Sequence, residues 1–407
     1  MYRESFENSS RPRAGRNQRK SSPAPASNGR RNAGGGYKPS TLDPQLLVRK
    51  AELVEAIDYL SERRIDELPV HPELRKRLMD KGYERPTEIQ DRTLETLLQG
   101  RDLLGIAQTG TGKTAAFMVP VIESLMKQKR NHYALVLVPT RELAVQVEDE
   151  YRSMVKGLGL YSHCFIGGTN INTDLSRLNR PAHVIIATPG RLLDLAGRNA
   201  LSLNAFHTLI LDEFDRMLDM GFVHDVKRII AAMTQRRHTM LFSATLDPTQ
   251  ESLIASILRK PVMVKVSSGE STADHIDQDI IRLKPGQDKF DLLCDLISDS
   301  SFRKVLVFEE TKHLVNKLGK RLNIAGFPAA VIHGNKSQNA RQQALDGFKA
   351  GSVQVLVATD VAARGIDVSD ITHVINYQVP LSFDRYIHRI GRTGRAGRSG
   401  KAYTFVG

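Results

Sequence analysis

Eight consecutive residues in the first half of the chain could bind phosphate: Ala107, Gln108, Thr109, Gly110, Thr111, Gly112, Lys113 and Thr114. The glycines let the backbone bend so that its N–H groups point at phosphate oxygens. Lys113 is placed for the β- and γ-phosphates and the Thr114 hydroxyl for Mg²⁺. Apolar runs predict a strand before the loop, over 102–107, and a helix after it, over 114–127. This context favours a P-loop over a glycine-rich turn that binds nothing.

A pair of acidic residues, Asp212 and Glu213, follows the apolar run 207–211. The run predicts a buried parallel strand, and acids at the carboxyl end of such a strand face the ligand crevice. There Asp212 could hold Mg²⁺, directly or through water, and Glu213 could orient or activate an attacking water. The alternative is a solvated acidic turn, which the nearby phosphate loop makes the weaker interpretation.

The second half of the chain carries a basic cluster that contains His388, Arg389, Arg392 and Arg395. Arginines that reach the phosphates only when the two halves meet would turn ATP binding and hydrolysis into a mechanical cycle. The phosphate loop, the acid pair and this distant cluster therefore predict a nucleotide hydrolase that closes to work.

From about Ile65 to its end, the chain resembles the DEAD-box family of ATP-dependent RNA helicases, and its motifs keep the family's order. The stretch from Gly82 to Gln90 resembles the adenine-reading motif. The resemblance implies that the Gln90 amide bonds the adenine edge and that Tyr83 stacks on the ring. The family usually has an upstream aromatic residue where this chain has Ile65, which would loosen base selectivity.

Several segments resemble the family's RNA contacts, and they combine hydroxyls, glycine N–H groups and guanidinium groups that suit phosphate oxygens. In the first half these are Pro139, Thr140, Arg141, Gly167, Gly168, Thr188, Pro189, Gly190 and Arg191. In the second half they are Gln338, Arg341, Thr359 and Arg364. Without the rest of the pattern, Arg141 and Arg191 would be read as ordinary surface arginines.

The remaining matched residues concern the nucleotide and its coupling to RNA. The resemblance implies that Gly365 and Asp367 face the nucleotide. It also implies that Arg392 and Arg395 reach the γ-phosphate. Asp215, Ser243, Thr245 and His388 would couple hydrolysis to strand separation.

The third residue of the acidic motif departs from the family, which has Asp-Glu-Ala-Asp where this chain has Phe214. Phe is much larger than Ala, and overpacking a fitted site costs about 1–3 kcal/mol unless its neighbours make room. The position of Asp215, and its bond to Ser243 or Thr245, is what this substitution affects.

The formal net charge of +13 is unevenly spread over the 407 residues. Residues 1–40 hold nine Lys or Arg and only two acids, and they lack the apolar residues needed to fold. Such a tail suits loose phosphate binding, although a solubilising tail without a partner is nearly as good an interpretation.

Two cysteines and no apolar stretch near Met1 favour a cytoplasmic location and no membrane contact.

Alternation of strand-like and helix-like runs predicts an α/β fold with two tandem RecA-like domains, each a mainly parallel sheet flanked by helices. Apolar residues at helical spacing also predict an amphipathic helix before the first domain. The family continues with a short helix beyond the last strand, so we expect the second domain to be truncated. The predicted layout is a disordered basic tail (1–40), the amphipathic helix (41–64), the ATP-binding domain 1 (65–266), a linker (267–275) and the C-terminal domain 2 (276–407).

We therefore expect an RNA helicase that uses ATP and Mg²⁺ to separate or remodel short RNA duplexes. RNA of weak sequence preference, alone or in ribonucleoprotein complexes, would be its partner. One alternative is an ATP-gated RNA clamp or assembly scaffold in which Phe214 has weakened unwinding. Another is a DNA-translocating helicase, which the adenine motif and Arg364 disfavour.

Overall fold

Two parallel β-sheets follow each other along the chain, each flanked by helices. A computed structural model describes residues 42–51, 59–108, 110–127, 133–266, 275–363, 366, 368, 370–394 and 399–406. All of them belong to one compact unit that runs from Ser40 to Gly407. The predicted α/β architecture is confirmed, whereas the predicted tail (1–40) and nearly all of the predicted linker lie outside the described residues.

The first sheet is built from seven short strands that pair only in parallel. They are β1 (Leu103–Ile106), β2 (Tyr133–Leu137), β3 (Ser162–Phe165), β4 (Val184–Ala187), β5 (Phe206–Leu211), β6 (His238–Ser243) and β7 (Val262–Lys265). Their order across the sheet is β3-β4-β2-β5-β6-β1-β7. Because β2, β5, β6 and β1 are neighbours, the loops that leave their carboxyl ends meet at one edge.

Nine helices accompany the described part of this sheet. They are α1 (Pro72–Asp80), α2 (Glu88–Leu98), α3 (Lys113–Lys127), α4 (Arg141–Met154), α5 (Ile171–Leu178), α6 (Pro189–Gly197), α7 (Phe214–Asp219), α8 (Val223–Ala232) and α9 (Pro248–Ile257). Strands such as β1 and β4 are buried along their whole length, as expected for a parallel sheet covered on both faces. Two apolar clusters result, one containing Phe117 and Phe242, the other containing Phe165 and Phe214.

The second sheet has six parallel strands and five helices among the described residues. The strands are β8 (Ile276–Arg282), β9 (Val305–Phe308), β10 (Ala329–Ile332), β11 (Val355–Ala358), β12 (His373–Asn376) and β13 (Gly400–Val406). The helices are α10 (Lys289–Ile297), α11 (Lys312–Ile324), α12 (Gln338–Ala350), α13 (Asp360–Ala363) and α14 (Phe383–Ile390). The strand order is β10-β11-β9-β12-β13-β8, which leaves β8 at an edge. None of the helices in the described ranges is long and apolar enough to cross a membrane.

The amphipathic helix predicted over 41–64 is wrong for the residues that the structure describes. Pro44–Leu47 is one turn of 3₁₀ helix, and Val48 is already extended. Further along, Arg49 and Leu60 each form an isolated antiparallel β-bridge. The apolar residues of this stretch therefore do not share one helical face: Leu47 is buried against the second sheet, whereas Leu60 is exposed. Residues 52–58 lie outside the described residues.

His373 is a buried histidine in the core of the second domain. Its ring stacks on Phe302 with centroids 3.6 Å apart and lies 6.2 Å from the Tyr403 ring. Burial, together with the nearby Lys401 charge, lowers the pKa of His373 to about 4. The folded protein therefore holds this ring neutral at a pH where the unfolded chain would protonate it.

We predict that His373 makes the protein sensitive to acid. The contribution of His373 to the free energy of unfolding is fully present above the unfolded pKa of about 6.5, and it is lost as the pH falls toward 4. Between pH 7.5 and 5 the free energy of unfolding should drop by about 2 kcal/mol from this group alone. His373→Phe should remove that drop in urea titrations, whereas His224→Phe, at an exposed position, should keep it. Equal acid sensitivity in both variants would contradict this assignment.

Candidate nucleotide site and nucleic-acid surface

The phosphate loop leaves the carboxyl end of β1 and leads into α3. Gly110 and Gly112 have φ values of 91° and 87°, in the left-handed region that favours glycine. A Cβ atom on Gly112 would collide with Gln90 Nε2, so glycine also suits this position by its size. Lys113 is buried, and its Nζ donates to the Ala107 carbonyl at 2.9 Å. Thr109 lies outside the described residues.

Gln90 connects the predicted adenine motif to this loop. Its Oε1 accepts from the Thr87 N–H at 3.0 Å, and its Nε2 donates to the Gly112 carbonyl at 3.1 Å. One amide hydrogen and one oxygen lone pair are left over, which is what a purine edge requires. Tyr83, Gln90 and Ile65 line the same apolar cavity, so the three residues singled out in the sequence come together.

The Tyr83 side chain is held from its hydroxyl end. The hydroxyl donates to Glu150 Oε1 at 3.0 Å, and Lys81 lies over the ring with Nζ 5.8 Å from its centroid. Burial raises the pKa of Tyr83, and the Glu150 carboxylate raises it further. The ring therefore stays neutral and keeps a fixed place beside the cavity.

The two acids stand at the carboxyl end of β5. Asp212 is only 2% exposed, and burial raises its pKa to about 6 against the opposing charge of Lys113. Glu213 has a φ of 53°, a left-handed conformation that costs a non-glycine residue about 1 kcal/mol or more. Its carboxylate is paired with Arg216 at 2.7 Å, and both side chains are buried. Arg216 was not predicted from the sequence, although it lies one turn further along the same helix.

Phe214 is fully buried in the apolar cluster below this edge of the sheet. The next residue, Asp215, still accepts from the Ala244 N–H at 3.2 Å and from the Thr245 hydroxyl at 3.3 Å. The Ser243 hydroxyl donates instead to the Thr245 carbonyl at 2.7 Å. The large side chain is thus accommodated in the core, and the contact between Asp215 and Thr245 is kept.

The basic motif of the second sheet begins on α14 with His388 and Arg389 and continues past the end of this helix. Arg392 is buried, and its guanidinium lies 3.3 Å from the Ile366 carbonyl and 3.4 Å from the His388 carbonyl. Arg389, a member of the same basic cluster, forms a two-bond ion pair with Asp360 at 2.5 and 2.9 Å, and the sequence did not predict this partner. The structure does not describe four predicted site residues of this half, Arg364, Gly365, Asp367 and Arg395.

Three of the arginines predicted to bind RNA lie close together. The pKa of Arg141 is lowered by burial and by the charges of Arg341 and Arg191. Its guanidinium also rests against Gly168, where a Cβ atom would have no room. Arg141 comes from the first sheet and Arg341 from the second, so the cluster draws on both.

Arg191 and Arg341 are each anchored by an acid. Arg191 pairs with Asp174 at 2.7 Å, and both are buried. Arg341 pairs with Glu142, on α4 of the first domain, at 2.7 Å. These pairs fix the guanidinium groups, a role that their sequence motifs did not reveal.

The other predicted RNA contacts fall at loop and helix ends. The Thr140 hydroxyl caps α4 by accepting from the Leu143 N–H, and Thr188 with Pro189 begins α6. Thr359 follows β11 and is half-buried. Gln338 begins α12, and both of its amide atoms are buried without a hydrogen-bond partner in the described structure. A buried amide with no partner is costly, so Gln338 stays a candidate for binding a ligand.

Family profiles match both halves of the chain. The profile of the DEAD/DEAH box helicases matches residues 87–253, and that of the helicase conserved C-terminal domain matches residues 288–397.

Curated relatives extend this similarity over most of the chain. The chain is 43% identical over 343 residues to the DEAD-box ATP-dependent RNA helicase CshA of Streptococcus pneumoniae. The matched region covers 84% of this chain and 65% of the relative. The corresponding protein of Geobacillus kaustophilus is 41% identical over 345 residues, with 84% and 73% covered. The chain thus spans slightly less than two thirds of the Streptococcus relative.

A solved structure of S. cerevisiae Dbp5, bound to RNA and ADP BeF3, is similar across both sheets. The TM-score is 0.75 at 32% sequence identity, and the match covers 84% of this chain and 89% of Dbp5.

We predict that replacing Phe214 by alanine, the residue of the family motif, destabilises this protein. Phe214 fills a space that its own neighbours have shaped, so Phe214→Ala would leave a cavity and cost about 3–5 kcal/mol of unfolding free energy. Phe222→Ala, at the half-buried rim of the same cluster, should cost clearly less. Urea unfolding of both variants measures the difference. A neutral or stabilising effect of Phe214→Ala would show that Phe214 overpacks the site.

Proposed function

Because this chain belongs to the DEAD-box helicase family, we propose that it is an RNA-dependent ATPase that separates short RNA duplexes. ATP would bind at the edge of the first sheet, with Gln90 and Tyr83 at the adenine. The backbone from Gln108 to Thr114 would hold the phosphates, and Lys113 would place its charge beside them.

Mg²⁺ fits the oxygen groups at this edge. Thr114 supplies a hydroxyl, and Asp212 supplies a carboxylate whose raised pKa reflects burial without enough positive charge nearby. A divalent cation supplies that charge, and hard oxygen ligands are the ones that Mg²⁺ prefers. We assign Thr114 and Asp212 to hold the metal, directly or through water. When bound, Mg²⁺ would offset the negative charge of the phosphates.

The other steps of ATP hydrolysis would be carried out by side chains of the protein. Glu213, held by Arg216, is oriented to accept a proton from the attacking water. Arg392 and Arg395 would stabilise the charge that develops on the transferred phosphoryl group, a contribution worth about 10³–10⁵ in rate. His388 would couple this motif to the acidic one. Gly365 and Asp367 would contact the nucleotide.

The proximity of Arg141 and Arg341 is the observation that carries the RNA assignment. The Arg341 charge acts on Arg141, although the two residues come from different sheets. A phosphate placed between them would relieve this repulsion, so RNA binding would favour contact between the sheets. The partnerless amide of Gln338 supports the same surface, as do the N–H groups of Gly167, Gly168 and Gly190.

Unwinding is favoured over a passive clamp by the contact between Asp215 and Thr245. The clamp alternative depends on Phe214 displacing Asp215, and the 3.3 Å hydrogen bond argues against that displacement. Contacts to the sugar–phosphate backbone imply weak sequence preference, and the 2′-hydroxyl would favour RNA over DNA.

We predict that single-stranded RNA stimulates ATP turnover in the presence of Mg²⁺, and that single-stranded DNA does so much less. Lys113→Ala should lower the stimulated rate by about 10²-fold or more, the order expected for losing one charge-stabilising group. Lys127→Ala, an exposed lysine on the same helix, should leave the rate unchanged. The absence of RNA stimulation in the wild-type protein would refute the proposal, and equal stimulation by DNA would point to a DNA helicase.

A further inference from the structure

The N-terminal segment is anchored to the edge of the second sheet. Leu47 is fully buried beside Ile276, and its carbonyl lies 3.3 Å from the Tyr386 hydroxyl. Arg49 then pairs with Gln278 of β8 through two backbone hydrogen bonds of 2.9 and 2.7 Å. The residues around Arg49 thus continue the sheet past its edge strand, which shields the unpaired groups of β8.

A second anchor ties the same segment to the first domain. The Tyr59 carbonyl accepts from the Glu88 N–H at 2.7 Å, and the Ser61 N–H donates to the Pro86 carbonyl at 2.8 Å. The Ser61 hydroxyl also donates to Asp91 at 2.5 Å. Two of these three contacts join backbone groups, so they fix both the position and the register of the chain.

Each anchor touches an element that carries part of the candidate ATP site. Pro86 and Glu88 flank Thr87, whose N–H holds the Gln90 amide in place. Tyr386 lies on α14, two residues before His388, and its hydroxyl is 3.0 Å from Gln278 Oε1. The segment therefore meets the adenine motif at one end and the helix of the basic motif at the other.

We propose that residues 43–51 and 59–64 form a positioning strap that couples the adenine motif to the second domain and favours the closed arrangement. Only residues 52–58 separate the anchors, so the chain between Ala51 and Tyr59 reaches at most about 28 Å. The chain also connects the two sheets through residues 267–274. A second short connection raises the effective concentration of one domain at the other. This inference rests on the proposed function.

A purely structural role is the competing explanation. The segment could simply cover the edge of β8 and stabilise the second domain, with no effect on nucleotide turnover. That role depends only on the anchor at Arg49, whereas coupling depends on the length of chain between the two anchors. Changing this length and leaving both anchors intact separates the two explanations.

The test is to insert eight Gly/Ser residues after residue 55 of the full chain. As a matched control, the same eight residues are inserted after Ser40, upstream of both anchors. For each protein, RNA-stimulated ATPase gives the RNA concentration at half-maximal stimulation and kcat at saturating RNA. Melting temperatures measured in parallel report any loss of fold.

We expect the insertion after residue 55 to raise the half-maximal RNA concentration about three- to tenfold, because effective concentration falls with linker length. kcat at saturating RNA should stay within about twofold, since RNA then supplies the closure energy itself. The control insertion should match the wild type. Arg49→Pro, which removes one hydrogen bond to β8, should act in the same direction, whereas Lys50→Pro should not.

An insertion after residue 55 that behaves like the control overturns the inference, and so does one that lowers the half-maximal RNA concentration. The wild-type protein in the same assay keeps the two claims apart. If its ATPase does not respond to RNA, the proposed function fails and the strap inference falls with it. If the wild type responds and the insertion has no effect, only the strap is wrong.

Discussion

A buried ion pair between Glu142 and Arg341 joins the two domains beside the predicted RNA surface, with Arg341 Nε and Glu142 Oε1 2.7 Å apart. Both side chains are almost fully buried, so each has given up its hydration. Leaving one such charge buried without its partner costs about 3–5 kcal/mol, whereas separating the domains returns both to water. The contact is therefore either complete or fully released, which is the behaviour expected of a cleft with two states.

The positive charges around this pair explain why closure would need a ligand. Arg141 lies near two further cations, Arg341 and Arg191, and its pKa is lowered first by burial and then by the charges of these two residues. Glu142 compensates for one of the three charges, and Asp174 compensates for another. The remaining excess suits a polyanion that lies across both domains. The same arrangement would link RNA binding to the nucleotide in the function that we propose, because the basic motif at the end of α14 belongs to the same domain as Arg341.

Much of this arrangement could be predicted from the sequence. Apolar runs predicted strands such as β1 and β5, since a parallel sheet covered on both faces needs apolar side chains on both sides. The edge strands β3 and β7 give a weaker signal, because β3 contains Ser162 and His163 and β7 is half-exposed. The phosphate loop could be predicted because a P-loop combines its glycines and its lysine with a preceding strand and a following helix, and all of these are visible in the sequence.

Features that depend on long-range partners were not predictable. The pairing of Arg389 with Asp360, and of Arg191 with Asp174, joins residues whose spacing in sequence carries no signal. The predicted helix over 41–64 failed for a related reason. Helical spacing reports where apolar residues fall along the chain, but Leu47 and Arg49 are fixed by an unpaired edge strand more than two hundred residues away.

A double-mutant cycle at Glu142 and Arg341 tests the central claim most directly. Glu142→Gln, Arg341→Gln and the double variant would be compared by the RNA concentration that half-saturates ATP turnover. If the ion pair couples the domains, the double variant should be less impaired than the sum of the single ones, with an interaction energy of at least about 1 kcal/mol. Effects that add within about 0.3–0.5 kcal/mol would contradict the account, because Arg341 would then act on RNA independently of Glu142.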